Sequence, residues 1–474
     1  MSRFKRTAPK ARSTRRGFIK HSCLLGAGAL GAFAAPDLLG TLARAAGPTP
    51  DAASTDRYFI FCYFSGGWDV LLSLDPRHPA EYNESNLAEF RIQPGWQFLD
   101  NPNVEMVDVG NGVQFGPFIG DLGRIHGDKL CVVRGMSMET LTHEVGRRRF
   151  LTGKPPSGLL ARGSSAATWL AYSLGAEQPV PNLAVGVETY NSELPTYASG
   201  LRVLGVNDLV DTLAASDFDL SPQQNAALDA VLRQYSQCDS FRASPLLVAA
   251  EEGRRKAQEM VGGGFDALFG FKANTPDMVA LRSHYGFNTS NSATTGVLSP
   301  AGQAALAVTA ITSGLSRVVS ITAASGLDTH YDNWTDDQGP RQEAGFNAIA
   351  RMMEDLAGRE FPDGSGDSWL DHTTIVGFSE FSRTPMLNAN VGRDHALMNA
   401  CFLAGAGIQP GIIGASSNVG MAPQLVDPVT GLVSQDGEII KPEHVIRALM
   451  EDIGVTDDIV DLRVDPLRAA LIKG

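Results

Sequence analysis

The sequence predicts an α/β sandwich, and three observations carry that reading. Apolar runs with strand character recur at 57–64, 129–134, 182–187, 317–323 and 373–378. Amphipathic segments with helix-starting signals fall between several of them. Carboxylates and imidazoles gather just past the ends of those runs, the place where open α/β sheets bind ligands.

The chain opens on a segment read as a targeting signal rather than as part of the fold. Residues 13–20, Ser-Thr-Arg-Arg-Gly-Phe-Ile-Lys, followed by a stretch rich in Gly, Ala and Leu, resemble a bacterial twin-arginine export signal. The apolar stretch is short and rich in small residues for a membrane span, and Ala43-Arg-Ala45 offers a signal peptidase its small side chains, so cleavage is expected after Ala45. Cys23 precedes the apolar stretch, which does not fit a lipoprotein. The expected partner in export is the twin-arginine translocase. The expected location is the periplasm or beyond, with no stable membrane span after cleavage. That route carries folded proteins, often with a metal or cofactor already inserted.

Residues 46–474 are expected to form one α/β domain. The run 57–64 is its first strand, 129–134 its second, and the remaining runs its later ones. Helices are expected after Ser221-Pro222, Ser244-Pro245 and Ser299-Pro300, where serine is a good N-cap and proline suits the first helical position. A further helix is expected over 341–360, where Phe346, Ile349, Met353 and Leu356 recur at three-to-four spacing. Residues about 200–298 differ in character. They read as an inserted helical cap over the site, although a plain stabilising insertion fits equally well.

Composition narrows the partners. Residues 1–45 hold nine of the 39 basic and one of the 52 acidic side chains, so the mature chain carries 30 against 51, a net charge of −21. Such a surface argues against nucleic acid or an anionic membrane as the main partner. With 43% apolar residues the chain can bury a large core. Cys62, Cys131, Cys238 and Cys401 remain after cleavage without Cys-x-x-Cys spacing, and Cys62 and Cys131 are expected as buried free thiols.

The candidate chemistry lies at the strand ends. Ser65-Gly-Gly-Trp-Asp69 follows the first strand, and Asp69 is expected as an oxygen ligand; alone, the motif reads equally as a glycine turn whose Asp caps the next helix. Asp328 and His330 follow the run 317–323. Glu380 follows 373–378, with Asp394 and His395 a short loop further on. Carboxylates mixed with neutral imidazoles suit a divalent metal, Zn, Mn or Ca, as one or two ions. His143 and Arg147 are four apart in an expected helix start, on one face. Arg147, Arg148 and Arg149 form a basic run in an acidic chain, with Arg147 expected to meet an anion and its two neighbours to pair with acids. Arg383 and Arg393 are the other expected substrate-binding arginines.

These motifs resemble the alkaline phosphatase and sulfatase superfamily, and more closely a bacterial exported family of unknown function placed within it. The resemblance runs from Gly66-Gly-Trp-Asp69 through 142–153, Leu327-Asp-Thr-His330, Ser379-Glu-Phe-Ser-Arg-Thr-Pro385 and Gly392-Arg-Asp-His395 to Gly414 and the segment 442–454. It implies an alkaline phosphatase-like three-layer α/β/α sandwich with a mainly parallel central sheet. It also implies a metal-dependent hydrolase of phosphate or sulfate esters, acting on an anionic small molecule or glycan ester. Asp69 matches the superfamily's first metal acid, Glu380 the Asp of its Asp-His pair, and Asp328, His330 and His395 the other ligand set. Phe381 stands where that pair has its His. Overlaying the sulfatase segment places His143 at the nucleophile position, with Thr142 the nearest hydroxyl, so that Thr142, His143 or a metal-activated water would attack. The alternative is a catalytically inactive member that binds an anionic glycan or a partner in cell-surface assembly.

Overall fold

The computed structural model describes residues 56–215, 220–455 and 461–472. The expected signal peptide, residues 1–45, lies outside them. The fold is α/β, built on an eight-stranded, mainly parallel sheet. In chain order its strands are β1 (Tyr58–Phe64), β2 (Leu130–Ser137), β3 (Asn182–Val185), β4 (Leu201–Val203), β5 (Val318–Ala324), β6 (Thr373–Phe378), β7 (Met398–Gly405) and β8 (Gly411–Ile413). Across the sheet they run β8-β2-β7-β6-β1-β5-β3-β4, and β7 alone is antiparallel to its neighbours.

The sheet is buried on both faces, which is why its strands read as continuous apolar runs rather than alternating ones. Tyr58, Ile60, Cys62 and Phe64 of β1 pack into a core shared with the helices Pro300–Thr312 and Gly339–Ala357. Phe59, Phe61 and Tyr63 pack into the opposite core with His143–Thr152, Ala166–Leu174 and Pro442–Asp452. Phe346, Ile349, Met353 and Leu356 are all buried, as their spacing predicts, in a helix that starts two residues earlier than the sequence suggests because Pro340 lies in its first turn. Ser221, Ser244 and Ser299 each accept a hydrogen bond from a first-turn amide of the helix they open. The four cysteines remaining after the expected cleavage are free, and Cys62, Cys131 and Cys401 are buried.

Three strands had no clear sequence signal. β7 is built from Met-Asn-Ala-Cys-Phe-Leu-Ala-Gly, poor in β-branched residues, and lies between β2 and β6, where burial outweighs propensity. β4 and β8 are three residues each. β4 forms the sheet edge, and the helices Val206–Leu213, Pro222–Ser236, Pro245–Gly262 and Pro276–Tyr285 follow it. Lys256 donates to the Gln178 carbonyl ahead of β3. Tyr285 bonds Asp355 in the last turn of Gly339–Ala357. Both contacts lie toward the edge where the parallel strands begin.

Among the described residues, no helix is long and apolar enough to cross a membrane.

Candidate metal centre

The adjacent parallel strands β6, β1 and β5 end side by side, and the chain leaving each carries a candidate side chain. Close approach of these segments depends on two glycines. A Cβ on Gly66, whose φ is +113°, would stand 2.7 Å from the backbone nitrogens of Leu327 and Asp328. A Cβ on Gly146 would stand 2.3 Å from the Glu380 carbonyl, so glycine lets the helix His143–Thr152 lie directly against the end of β6. This brings His143, the first residue of that helix, to Glu380.

Three imidazoles share one orientation. The Nδ1 of His143 lies 2.8 Å from Glu380 Oε1, that of His330 lies 2.8 Å from Asp394 Oδ1, and that of His395 lies 2.7 Å from the Leu141 carbonyl. Each partner is an acceptor, so each neutral ring carries its proton on Nδ1 and turns the Nε2 lone pair inward. The three Nε2 atoms stand 3.3, 3.0 and 3.4 Å from Asp328 Oδ1. Those of His330 and His395 lie 3.0 Å apart. Two lone pairs facing at that distance need a proton or a cation close by, and an Arg383 guanidinium nitrogen stands 3.4 Å from His330 Nε2. Nε2 of His143 is buried and makes no hydrogen bond. His143, Asp328 and His395 can each bring a ligand atom within 4.8 Å of the others. This donor set fits a divalent cation, with Glu380, Asp394 and Leu141 fixing ring orientation from behind.

The electrostatics agree with carboxylates held ionised. Burial pushes the Glu380 carboxyl up, but its bond to His143, that ring's charge and backbone amides including Gly66 outweigh burial and hold it below the ordinary Glu value. Burial also raises Asp328, yet the Arg383 guanidinium, 2.6 Å away, and the neighbouring imidazoles bring it down to about 2. For His143 burial opposes protonation, and the bond to Glu380 with the charges of Glu380 and Asp328 prevails, raising its pKa. His395 is lowered by burial and by the charges of Arg383 and His143, against the Leu141 carbonyl and Asp328. Phe381 forms the apolar wall of the centre, its ring centroid 4.3 Å from that of His395 and 4.8 Å from that of His143.

Other expected site residues take different places. Asp69 is buried, accepts from the Leu71 amide and Trp334 Nε1 and forms an ion pair with Arg393, so its motif is the glycine turn with a capping Asp. Both its oxygens are thereby engaged away from the imidazoles. Arg393 also donates to the carbonyls of Thr384 and Pro94 and holds that loop together. Arg147 clamps Glu188 through two nitrogens, each at 3.1 Å. Arg148 bonds Tyr190, and Arg149 is buried between Glu139 and Glu443. Thr142 is exposed, with no side-chain bond to the helix it precedes. Arg383 does enter the centre, through Asp328.

The sequence reading missed three supporting groups. Two are backbone atoms, the Leu141 carbonyl and the Gly66 amide, which carry no residue-type signal. The third is Asn388, whose side chain ties the His330 carbonyl at 2.9 Å to Asp394 at 3.2 Å.

Fold and site together define a mainly parallel α/β protein with a histidine-rich, carboxylate-supported centre at its C-terminal strand ends. The chain belongs to the DUF1501 family, proteins of unknown function, which it matches over residues 56–430. No curated protein matches it.

Proposed function

We propose that this protein is an exported, metal-dependent hydrolase of phosphate or sulfate esters, related to the alkaline phosphatase and sulfatase superfamily and carried out of the cytoplasm by the twin-arginine route. One observation carries the reading: the Nε2 atoms of His143, His330 and His395 turn toward one carboxylate oxygen of Asp328, each ring held from behind by an acceptor. His143, Asp328 and His395 would hold one divalent ion, with His330 Nε2 beside them, 3.0 Å from that of His395. When bound, it supplies positive charge to an ester oxygen and eases deprotonation of an attacking water. Glu380 keeps the His143 lone pair aimed inward, and Asp394 does the same for His330. Phe381 keeps water from one side of the centre. Arg383 keeps Asp328 ionised and fixed.

The test is elemental mass spectrometry on mature protein purified without chelators, followed by an ester-substrate screen on wild type and Asp328→Ala. Stoichiometric metal and ester cleavage, both lost in Asp328→Ala, is the expected result. Full activity in that variant removes the proposal. Metal-free, folded protein that takes up no Zn, Mn or Ca favours the inactive, anion-binding reading, to which Phe381 in place of a histidine also points.

A further inference from the structure

We infer that the ligand of this centre carries a single negative charge and an apolar substituent: a phosphate diester or a sulfate monoester rather than a dianionic phosphate monoester. The inference rests on the hydrolase reading. Every arginine in the segments that bear site residues is already engaged by a carboxylate: Arg147 and Arg148 by Glu188, Arg149 by Glu139 and Glu443, Arg383 by Asp328, and Arg393 by Asp69. Arg149, Arg383 and Arg393 are buried in those pairings and cannot swing to a ligand without stranding a charge. Around the imidazoles stand three carboxylates, Asp328, Glu380 and Asp394, and one guanidinium, that of Arg383, paired with Asp328. With neutral rings, one divalent ion would bring that centre close to neutrality. A monoanion then adds one charge, whereas a dianion adds two, and among the described residues of these segments every arginine already has a carboxylate partner, on a protein already strongly acidic.

The rim supplies the second half of the argument. Leu141, Tyr331 and Leu397 are 47%, 63% and 49% exposed. Leu141 lends its carbonyl to His395, Tyr331 follows His330 directly, and Leu397 lies two residues beyond His395. Three large, exposed apolar side chains are thus carried on the short segments that hold the imidazoles, with the Phe381 ring packed against His143 and His395, a composition that suits an aryl or alkyl group better than a sugar. In the reaction, water oxygen bonds to phosphorus or sulfur while the ester bond to the departing alcohol or phenol breaks. One water proton goes to the leaving oxygen and the other stays with the acid product or is released.

Metal-loaded mature protein is assayed with p-nitrophenyl phosphate, methyl p-nitrophenyl phosphate, phenyl p-nitrophenyl phosphate and p-nitrophenyl sulfate, which all release the same phenol. Binding of diphenyl phosphate and phenyl phosphate is measured in parallel by calorimetry. We expect kcat/KM for the phenyl diester or the sulfate to exceed that for the dianionic monoester by about tenfold or more, and diphenyl phosphate to bind more tightly than phenyl phosphate by a similar factor. The variants Tyr331→Ser and Leu397→Ser should raise KM for the phenyl diester more than for the methyl diester. Preference for the monoester in turnover or binding, or rim variants that leave the phenyl-to-methyl ratio intact, overturns the inference while sparing the hydrolase. No turnover with tight diphenyl phosphate binding sinks the hydrolase and sustains the ligand class. No turnover and no binding sinks both.

Discussion

His143 and Glu380, 237 residues apart in the chain, are joined by a 2.8 Å bond from ring Nδ1 to a buried carboxylate oxygen. The bond fixes the face that His143 turns to the centre. It also explains why a helix must pass within touching distance of a strand end, at Gly146.

If Glu380 orients a ligand, removing its charge weakens the metal rather than the fold. Glu380→Gln is expected to lower divalent-ion affinity by about 10- to 100-fold, measured by competition against a chromogenic chelator. An unchanged affinity would take His143 out of the ligand set.

Asp69 gives the opposite expectation, since its partner Arg393 is fully buried and would be left with an uncompensated charge. Asp69→Asn is expected to lower unfolding free energy by about 3 kcal/mol or more in denaturant titration. Metal stoichiometry of the folded fraction should stay the same. Loss of the metal with unaltered stability would instead make Asp69 a ligand.

Glu188 links the basic run to the pH dependence of folding. Burial raises its carboxyl, but bonds from Tyr190 and Arg147 and the charges of Arg147 and Arg148 hold it below the ordinary Glu value. The native state therefore binds fewer protons there than the unfolded chain. Its stabilisation is complete above the unfolded Glu pKa of about 4.3 and is lost as pH falls through the lower folded value. Glu188→Gln should be less stable than wild type at neutral pH, with the gap closing in acid. A gap in urea midpoint that is constant from neutral to acid pH would contradict this.

The sequence by itself determined the α/β class, the strand-end placement of Asp328, His330 and Glu380, and the serine-capped helices, because each is a local effect: a continuous apolar run, a residue following it, or a side chain capping its own helix. It also placed His143 and Arg147 on one helix. Only the tertiary structure decided what those residues meet. Asp69 and Glu380 look alike as acids just past strand ends, yet one is paired with Arg393 and the other faces His143, since partners hundreds of residues away are set by packing and leave no local pattern. Packing likewise hid the Leu141 carbonyl, the antiparallel strand Met398–Gly405 and, over a separation of only 41 residues, the pairing of Arg147 with Glu188. Residue type fixes what a group is able to bond; the surrounding fold fixes which bond it makes.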